Sequence, residues 1–357
     1  MKKSVLICLL LLVYGPAFGA SSRILPVSYN ESTYGDATRE YTSLATWEAD
    51  TDNNLVAAAN GEVLTCYDDD DAPYNDSVLV SGAVTSEDYF RVIRAAPGHR
   101  GTPTSGVRFE KNVTVNTTMI GVTESYCGIY DLGIKITCST SNVTSVFGLR
   151  FNLGGNYGKA IGNSVYNLTC TGIITNGSYV YAIAAANASD CIITNNYING
   201  IDVYYIATNS VLTSGIICAA NTATRTNYVY NNTVRNVEGY GISVVAVTPY
   251  TSNAYIKNNI SVNNTVGQIS ANPHSGSSGT ENLYQTTNAT SGVTFADDGY
   301  HLASNDTGAI GLGTDLSADE VFAFDDDIDG ETRDDWDIGA DEYVASITRR
   351  RVIILSE

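Results

Sequence analysis

The chain is poor in positive charge and in long apolar runs. It has 19 Lys and Arg residues against 38 Asp and Glu residues, which gives a net charge of −19. Binding to nucleic-acid phosphates requires basic patches, so no nucleic-acid partner is expected. After the first 19 residues no apolar run approaches the ~20 residues that a membrane helix needs. We therefore expect no transmembrane segment after residue 19, where the signal peptide described below is predicted to end.

Cysteine and histidine patterns that bind zinc are also missing. The chain has no C-x-x-C pair, and its three histidines do not cluster, so a zinc site is not expected. The six cysteines after Cys8 allow many disulfide pairings, and small buried thiols are the simpler expectation. Cys127 and Cys191 each lie four residues before a position of the repeat described below. They are predicted to share one column of the fold.

The N-terminus has the order of a secretory signal peptide. Lys2 and Lys3 precede an apolar run that begins at Val5, and small residues follow up to Gly19. This pattern predicts cleavage after Gly19 and a secreted or cell-surface protein. The chain is then divided into five parts: signal peptide 1–19, N-terminal cap region 20–60, β-helix 61–296, acidic C-terminal cap segment 297–343 and tail 344–357.

The most informative pattern is a repeated phrase, apolar-apolar-x-Asn-Asn-x-apolar. It occurs at Asn195, Asn231 and Asn258, with weaker copies at Asp131 and Asn167, in steps of 27 to 36 residues. Repeats of this length are typical of solenoids, propellers and arrays. In a parallel solenoid like residues stack on like, and stacked Asn side chains form amide ladders at one corner.

A second phrase, a small residue followed by an aliphatic one, recurs in phase with the first. Its copies are Gly148-Leu149, Ala182-Ile183, Gly215-Ile216 and Gly241-Ile242. Two phrases in phase predict a coil with at least two strands per turn. A propeller would need longer blades with periodic aromatic signatures. The predicted fold is therefore all-β: a right-handed parallel β-helix with a short N-terminal capping helix near 42–49 and an acidic C-terminal cap.

From about residue 60 to 343 the chain resembles the secreted right-handed parallel β-helix repeat proteins of the pectate-lyase-like fold. Besides the asparagine phrases, the resemblance rests on 89–98 and on the ending at 327–343, which is similar to the terminal segment of many bacterial surface proteins. The resemblance implies the fold and not an activity, because this fold carries lyases, hydrolases, phage spikes and adhesins. The polygalacturonase motif is absent, since Asn221-Thr222 is followed by Ala223.

Asp202 and Glu238 form the candidate catalytic pair. Each lies seven residues after an asparagine of the repeat. If the coils are adjacent, the two carboxylates lie ~5 Å apart, which is the spacing of a retaining glycosidase. The candidate substrate-binding residues beside them are Tyr204, Tyr205, Arg235 and Lys257.

A calcium site is the one cofactor prediction. Asp325, Asp327 and Asp329, followed by Gly330, have the spacing that opens a calcium loop. The twelfth position is Trp336 instead of Glu, so this is not an EF-hand. The alternative is a solvated acidic turn in which Arg333 pairs locally.

Three functions are compatible with the sequence. The sequence favours a non-catalytic extracellular adhesin or structural protein that binds polysaccharide or a cell-surface glycan. The charge-poor middle of the chain supports this reading, as do the 24 tyrosines of the whole sequence, since Tyr offers a flat apolar face and a hydroxyl. A polysaccharide lyase or glycoside hydrolase is the alternative, and a phage-spike-like trimer is a third reading. The sequence leaves the oligomeric state open.

Overall fold

The computed structural model describes residues 21–139, 143–171, 178–203, 212–271 and 279–344. The predicted signal peptide, Tyr204, Tyr205 and the tail after residue 344 lie outside the described residues. Among the described residues, no helix has the length and apolarity that crossing a membrane requires.

Three parallel sheets form the walls of a solenoid, with strands numbered in chain order. Sheet A contains β1 (Tyr29–Tyr34), β2 (Gly61–Cys66), β4 (Arg91–Ala95), β7 (Gly128–Tyr130), β10 (Lys159–Ile161), β13 (Cys191–Thr194), β16 (Arg225–Tyr230), β19 (Thr251–Lys257) and β22 (Thr280–Thr286). Sheet B contains β5 (Arg108–Val113), β8 (Gly133–Cys138), β11 (Ser164–Cys170), β14 (Tyr197–Val203), β17 (Thr233–Val237) and β20 (Ile260–Val262). Sheet C contains β3 (Val78–Val80), β6 (Thr117–Val122), β9 (Ser145–Phe151), β12 (Tyr179–Ala186), β15 (Leu212–Ala220), β18 (Tyr240–Ala246) and β21 (Gly267–Ala271).

The chain visits sheets C, A and B in turn, so each circuit is one rung. The solenoid has about 8 turns, which confirms the predicted parallel β-helix. The aliphatic residues of the second phrase stack in register: Leu149 pairs with Ile183, Ile183 with Ile216, and Ile216 with Ile242. All four are buried in the central core.

A short helix lies at the N-terminal end, as predicted. Helix α1 (Leu44–Thr51) begins after Ser43, whose hydroxyl accepts a hydrogen bond from the amide of Thr46 at 3.4 Å. Helix α2 (Leu55–Ala58) follows it directly. Leu44 and Trp47 are fully buried, and α1 packs beside β3, the edge strand of sheet C. The helix therefore covers an edge that would otherwise be open.

An amide ladder runs through the corner between sheets A and B. Each side-chain amide of one rung donates to the side-chain oxygen of the next at 2.9–3.2 Å, along the file Asn163, Asn196, Asn232, Asn259 and Asn288. The same oxygens also accept from the backbone amides of the preceding rung. The predicted ladder exists, and three of its five members, Asn196, Asn232 and Asn259, are the second asparagines of the phrase.

The first of the two asparagine positions in the phrase, which is Asp131 in one copy, has a different role. Asp131, Asn195, Asn231 and Asn258 adopt left-handed backbone conformations with φ between 48° and 62°. Asn tolerates this conformation better than most residues because its short side chain can hydrogen-bond locally. The prediction for Asn167 was wrong: it lies within β11, and Gly162, with φ of 70°, occupies the corner of that rung.

The C-terminal strap, residues 297–343, does more than cover one end. It runs back along the solenoid, and Nδ2 of Asn195, Asn231 and Asn258 donates to its backbone carbonyls at 2.7–3.3 Å. Its apolar side chains pack on the outer face of sheet A: Leu316, Phe322, Phe324 and Trp336 contact the cluster that contains Ile161, Ile192 and Tyr230. The acidic segment is thus a lateral cover for several rungs.

The six described cysteines form no disulfide with one another and are fully buried. Cys127 and Cys191 occupy one column with Gly158 between them, as the register of β7, β10 and β13 requires. Burial raises the pKa of Cys127, Cys191 and Cys218, that of Cys218 to about 12. They fill space in the core, as expected.

Candidate functional site

Asp202 and Glu238 lie on adjacent rungs of sheet B. Ile201 of β14 pairs with Val237 of β17, so the two acidic residues follow each other at the strand spacing of ~4.8 Å. Asp202 is exposed and Glu238 is half-buried. One carboxylate oxygen of Glu238 accepts the amide of Val203 at 2.7 Å, so this oxygen already satisfies a backbone donor. Their role as a catalytic pair stays a prediction.

The predicted binding residues around this pair are dispersed. Arg235 lies on β17, but its Nη1 donates to the carbonyl of Gly299 at 2.9 Å and its guanidinium lies 4.2 Å from the ring of Phe295. Lys257 ends β19 on sheet A and pairs with Asp319 of the strap at 2.6 Å. Placing Lys257 beside Asp202 was therefore wrong. Tyr204 and Tyr205 lie outside the described residues.

Two of the three predicted calcium ligands, Asp327 and Asp329, already have protein donors, while Asp325 accepts the amide of Arg333 through its backbone carbonyl. One oxygen of Asp327 accepts the amides of Asp329 and Glu331, and the other accepts the amide of Glu342. Asp329 pairs with Arg100 and with His301. Arg333 donates to the carbonyl of Asp326 and pairs with Glu342, as in the local-pairing alternative.

In the described part of the chain, His301, Asp329 and Asp341 have ligand atoms within 4.8 Å of one another. Both ring nitrogens of His301 contact carboxylates, of Asp298 at 2.5 Å and of Asp329 at 2.9 Å. These contacts raise the pKa of His301 to about 9, and a protonated imidazole does not bind a metal. The calcium site stays a prediction.

A cleft on the outer face of sheet A begins at the corner that precedes each strand. Tyr126, Tyr157 and Asp190 occupy the same corner position on successive rungs, and all three have left-handed backbones with φ of 57–59°. For a side chain other than Gly this conformation costs ~1–2 kcal/mol. Tyr126 and Tyr157 stack with ring centroids 4.6 Å apart and an interplanar angle of 7°. The chain thus places two aromatic rings where Gly or Asn would be less strained.

A cavity lies in this cleft over β13. It has a volume of about 330 Å³ and is lined by Tyr157 on the preceding rung, Asp190 and Ile192 on this rung, and Tyr228 on the following rung. Phe322 of the strap also lines it. Its size is within the range of small-molecule sites. One ring face of Tyr157 and one of Tyr228 are turned toward the β13 rung, because their stacking partners lie on the far sides.

Lys159 supplies the cation of the cleft. It lies on β10, where its register neighbours are Gly128 and Ile192, so no polar side chain stands directly beside it on the sheet. Its ammonium lies 5.4 Å from the ring centroid of Phe90, and among the described residues it has no ion pair or hydrogen bond. Burial lowers the pKa of Lys159, against the opposing charge of Glu87. Its three donors are therefore available to a ligand.

A line of tyrosines extends the cleft toward the C-terminal end. Tyr228 stacks on Tyr255 at 5.4 Å, and Tyr255 stacks on Tyr284 at 4.7 Å, with interplanar angles of 18° and 16°. We call the surface formed by Tyr126, Tyr157, Lys159, Asp190, Tyr228, Tyr255 and Tyr284 the tyrosine groove. It spans the strands β7 to β22 of sheet A, about 24 Å at the strand spacing.

Sequence reasoning missed Lys159 and Asp190. A signal existed, because Tyr126-Cys127, Tyr157-Gly158 and Asp190-Cys191 are equivalent pairs of the repeat. Aligning them would have placed Asp190 beside the two tyrosines. The contribution of Phe322 could not be found in this way, because Phe322 belongs to the strap, which lies outside the repeat.

No protein-family model matches the chain, and no curated protein matches its sequence. Among solved structures it is similar to the crystal structure of pectate lyase Pel9A, with 14% sequence identity and a TM-score of 0.38. The match covers 91% of this chain and 99% of that one. A likeness this weak says nothing about the chemistry of the tyrosine groove.

Proposed function

We propose that the chain is an exported β-helix protein that binds polysaccharide along the tyrosine groove. The supporting observation is the cavity over β13, where two tyrosine faces, Asp190 and Lys159 meet. A sugar ring has an apolar C–H face, which packs on aromatic rings, and hydroxyls, which need acceptors and donors. The length of the groove suits a chain of several sugar units. Export is proposed from the N-terminal pattern of lysines and apolar residues.

The test is a glycan array, followed by titration calorimetry with the best oligosaccharide. Tyr157→Asn removes the ring but suits a left-handed backbone, so folding should not suffer. We expect binding to weaken by about two- to twelvefold, since one aromatic contact contributes ~0.5–1.5 kcal/mol. Lys159→Gln and Asp190→Asn should weaken binding through lost hydrogen bonds.

Tyr179→Asn is the matched control. Tyr179 is 40% exposed, close to the 43% of Tyr157, but it lies on sheet C. This variant should bind like the unmodified protein. The proposal is wrong if no glycan binds, or if Tyr157→Asn and Tyr179→Asn bind equally well while both remain folded.

A polysaccharide-cleaving enzyme is the second candidate, favoured by the adjacent-rung placement of Asp202 and Glu238. Release of reducing or unsaturated ends from a polysaccharide panel would support it. Asp202→Asn and Glu238→Gln should then abolish turnover and leave binding in the tyrosine groove unchanged. Turnover that survives both changes would exclude this pair.

A further inference from the structure

A separate pocket lies on the outer face of sheet C, across β3, β6 and β9. Its volume is about 300 Å³, and its polar lining includes Thr118, Thr123, Asn152 and Arg150. Gly121 creates the space, because it stands in register between Leu79 on one side and Arg150 on the other. A Cβ at Gly121 would lie 3.0 Å from Cδ1 of Leu79.

Arg150 is the only charged residue in the lining of this pocket. Its guanidinium lies 4.4 Å from the ring centroid of Phe147, and its Nε is buried without a hydrogen-bond partner. Among the described residues no carboxylate pairs with it. The four internal undescribed segments, 140–142, 172–177, 204–211 and 272–278, contain no Asp or Glu.

Seven of the ten described arginines pair with a carboxylate, and Arg150 is one of the three that do not. Arg23, Arg91, Arg100 and Arg333 all pair with carboxylates. Burial lowers the pKa of Arg150, which reflects the cost of holding its charge without a counter-ion. A planar guanidinium matches an oxyanion with two parallel hydrogen bonds, and the neighbouring hydroxyls and amide supply further donors.

We propose that the Arg150 pocket binds an oxyanion carried on a sugar-sized ligand, either the carboxylate of a sugar acid or a sulfate ester. The apolar side chain of Leu79, 56% exposed at the rim, would contact the C–H face of such a ligand. The pocket lies on sheet C and the tyrosine groove on sheet A, so this proposal does not depend on the proposed function.

The experiment is titration calorimetry of the full chain with three probes: a uronic acid, its neutral methyl ester, and a sulfated monosaccharide. Binding of the uronic acid, the sulfated sugar or both, without binding of the ester, would support the proposal and identify the source of the oxyanion. Arg150→Gln should weaken that binding at least about tenfold, as expected when a charged hydrogen bond is lost. Arg150→Lys keeps the charge but loses the planar fork, so it should bind with intermediate affinity.

Arg225→Gln is the matched control, because Arg225 is also half-buried with an unpartnered Nε but lies outside the pocket. It should not change binding. Gly121→Leu fills the pocket while retaining Arg150, and it should abolish binding even if Arg150→Gln proves unstable. Failure of both anions to bind, or equal binding by a folded Gly121→Leu protein, would overturn the proposal.

Discussion

Replacing Asn232 by Ala would test the amide ladder at its centre. The side chain of Asn232 is fully buried and takes part in five hydrogen bonds. Its oxygen accepts the backbone and side-chain amides of Asn196, and its amide donates to Ile193, Tyr230 and Asn259 at 2.8–3.0 Å. A buried hydrogen bond contributes a net ~0.5–1.5 kcal/mol, and orphaned partners cost more. We expect the free energy of unfolding to fall by about 3–5 kcal/mol.

Two further variants locate the cause of this loss. Asn288→Ala removes the last member of the ladder, which is only partly buried, so water can replace its partners and the loss should be about 1–2 kcal/mol. Asn232→Leu keeps the volume but not the hydrogen bonds, and it should be about as unstable as Asn232→Ala. If Leu restores stability, the loss comes from a cavity and not from the ladder.

Urea unfolding followed by circular dichroism measures these differences, with slopes compared to check that the transition stays two-state. Asn112→Ala, at an exposed position of β5, is the control and should change stability by less than ~0.5 kcal/mol. The reasoning is refuted if Asn232→Ala costs no more than Asn112→Ala.

Three other predictions concern the strap and the core. Contacts with carboxylates raise the pKa of His301 from 6.5 to about 9. The stabilisation that protonated His301 gives the folded state is therefore complete below pH 6.5 and lost as the pH rises through about 9. The urea midpoint should fall over this range, and a similar fall in His301→Gln would contradict the prediction. Arg333→Met leaves Glu342 buried without its charged partner, which should lower the free energy of unfolding by ~3–5 kcal/mol. The strap should then become sensitive to limited proteolysis, and an unchanged digestion pattern would contradict this prediction. A thiol reagent at pH 8 should label none of the six buried cysteines before urea is added and all six afterwards; rapid labelling of the native protein would show that the core is accessible.

The corner asparagines made the fold predictable. Asn195, Asn231 and Asn258 recur because each rung needs a left-handed residue at the same corner, followed by a ladder residue. The same requirement explains the error at Asn167. On that rung Gly162 supplies the left-handed backbone, and Asn163 alone carries the ladder, so the phrase is harder to recognise.

The candidate site was less predictable because it combines different parts of the chain. Asp190 and Lys159 come from the repeat, but loops of variable length separate the rungs and hide their alignment. Phe322 enters from the strap, which follows no repeat. Lys257 was misplaced for a related reason: its partner, Asp319, is also in the strap.

The strap also joins the two ends of the described chain. Asp326 accepts the amide of Ser22 at 2.9 Å and pairs with Arg23, which in turn pairs with Asp131. A simple solenoid grows by adding rungs, and each rung depends only on its neighbours. Here the first rungs obtain their outer cover from residues about 300 positions later. The outer wall of sheet A is therefore complete only when both ends of the described chain are in place, so its contacts join residues that a purely local solenoid would leave independent.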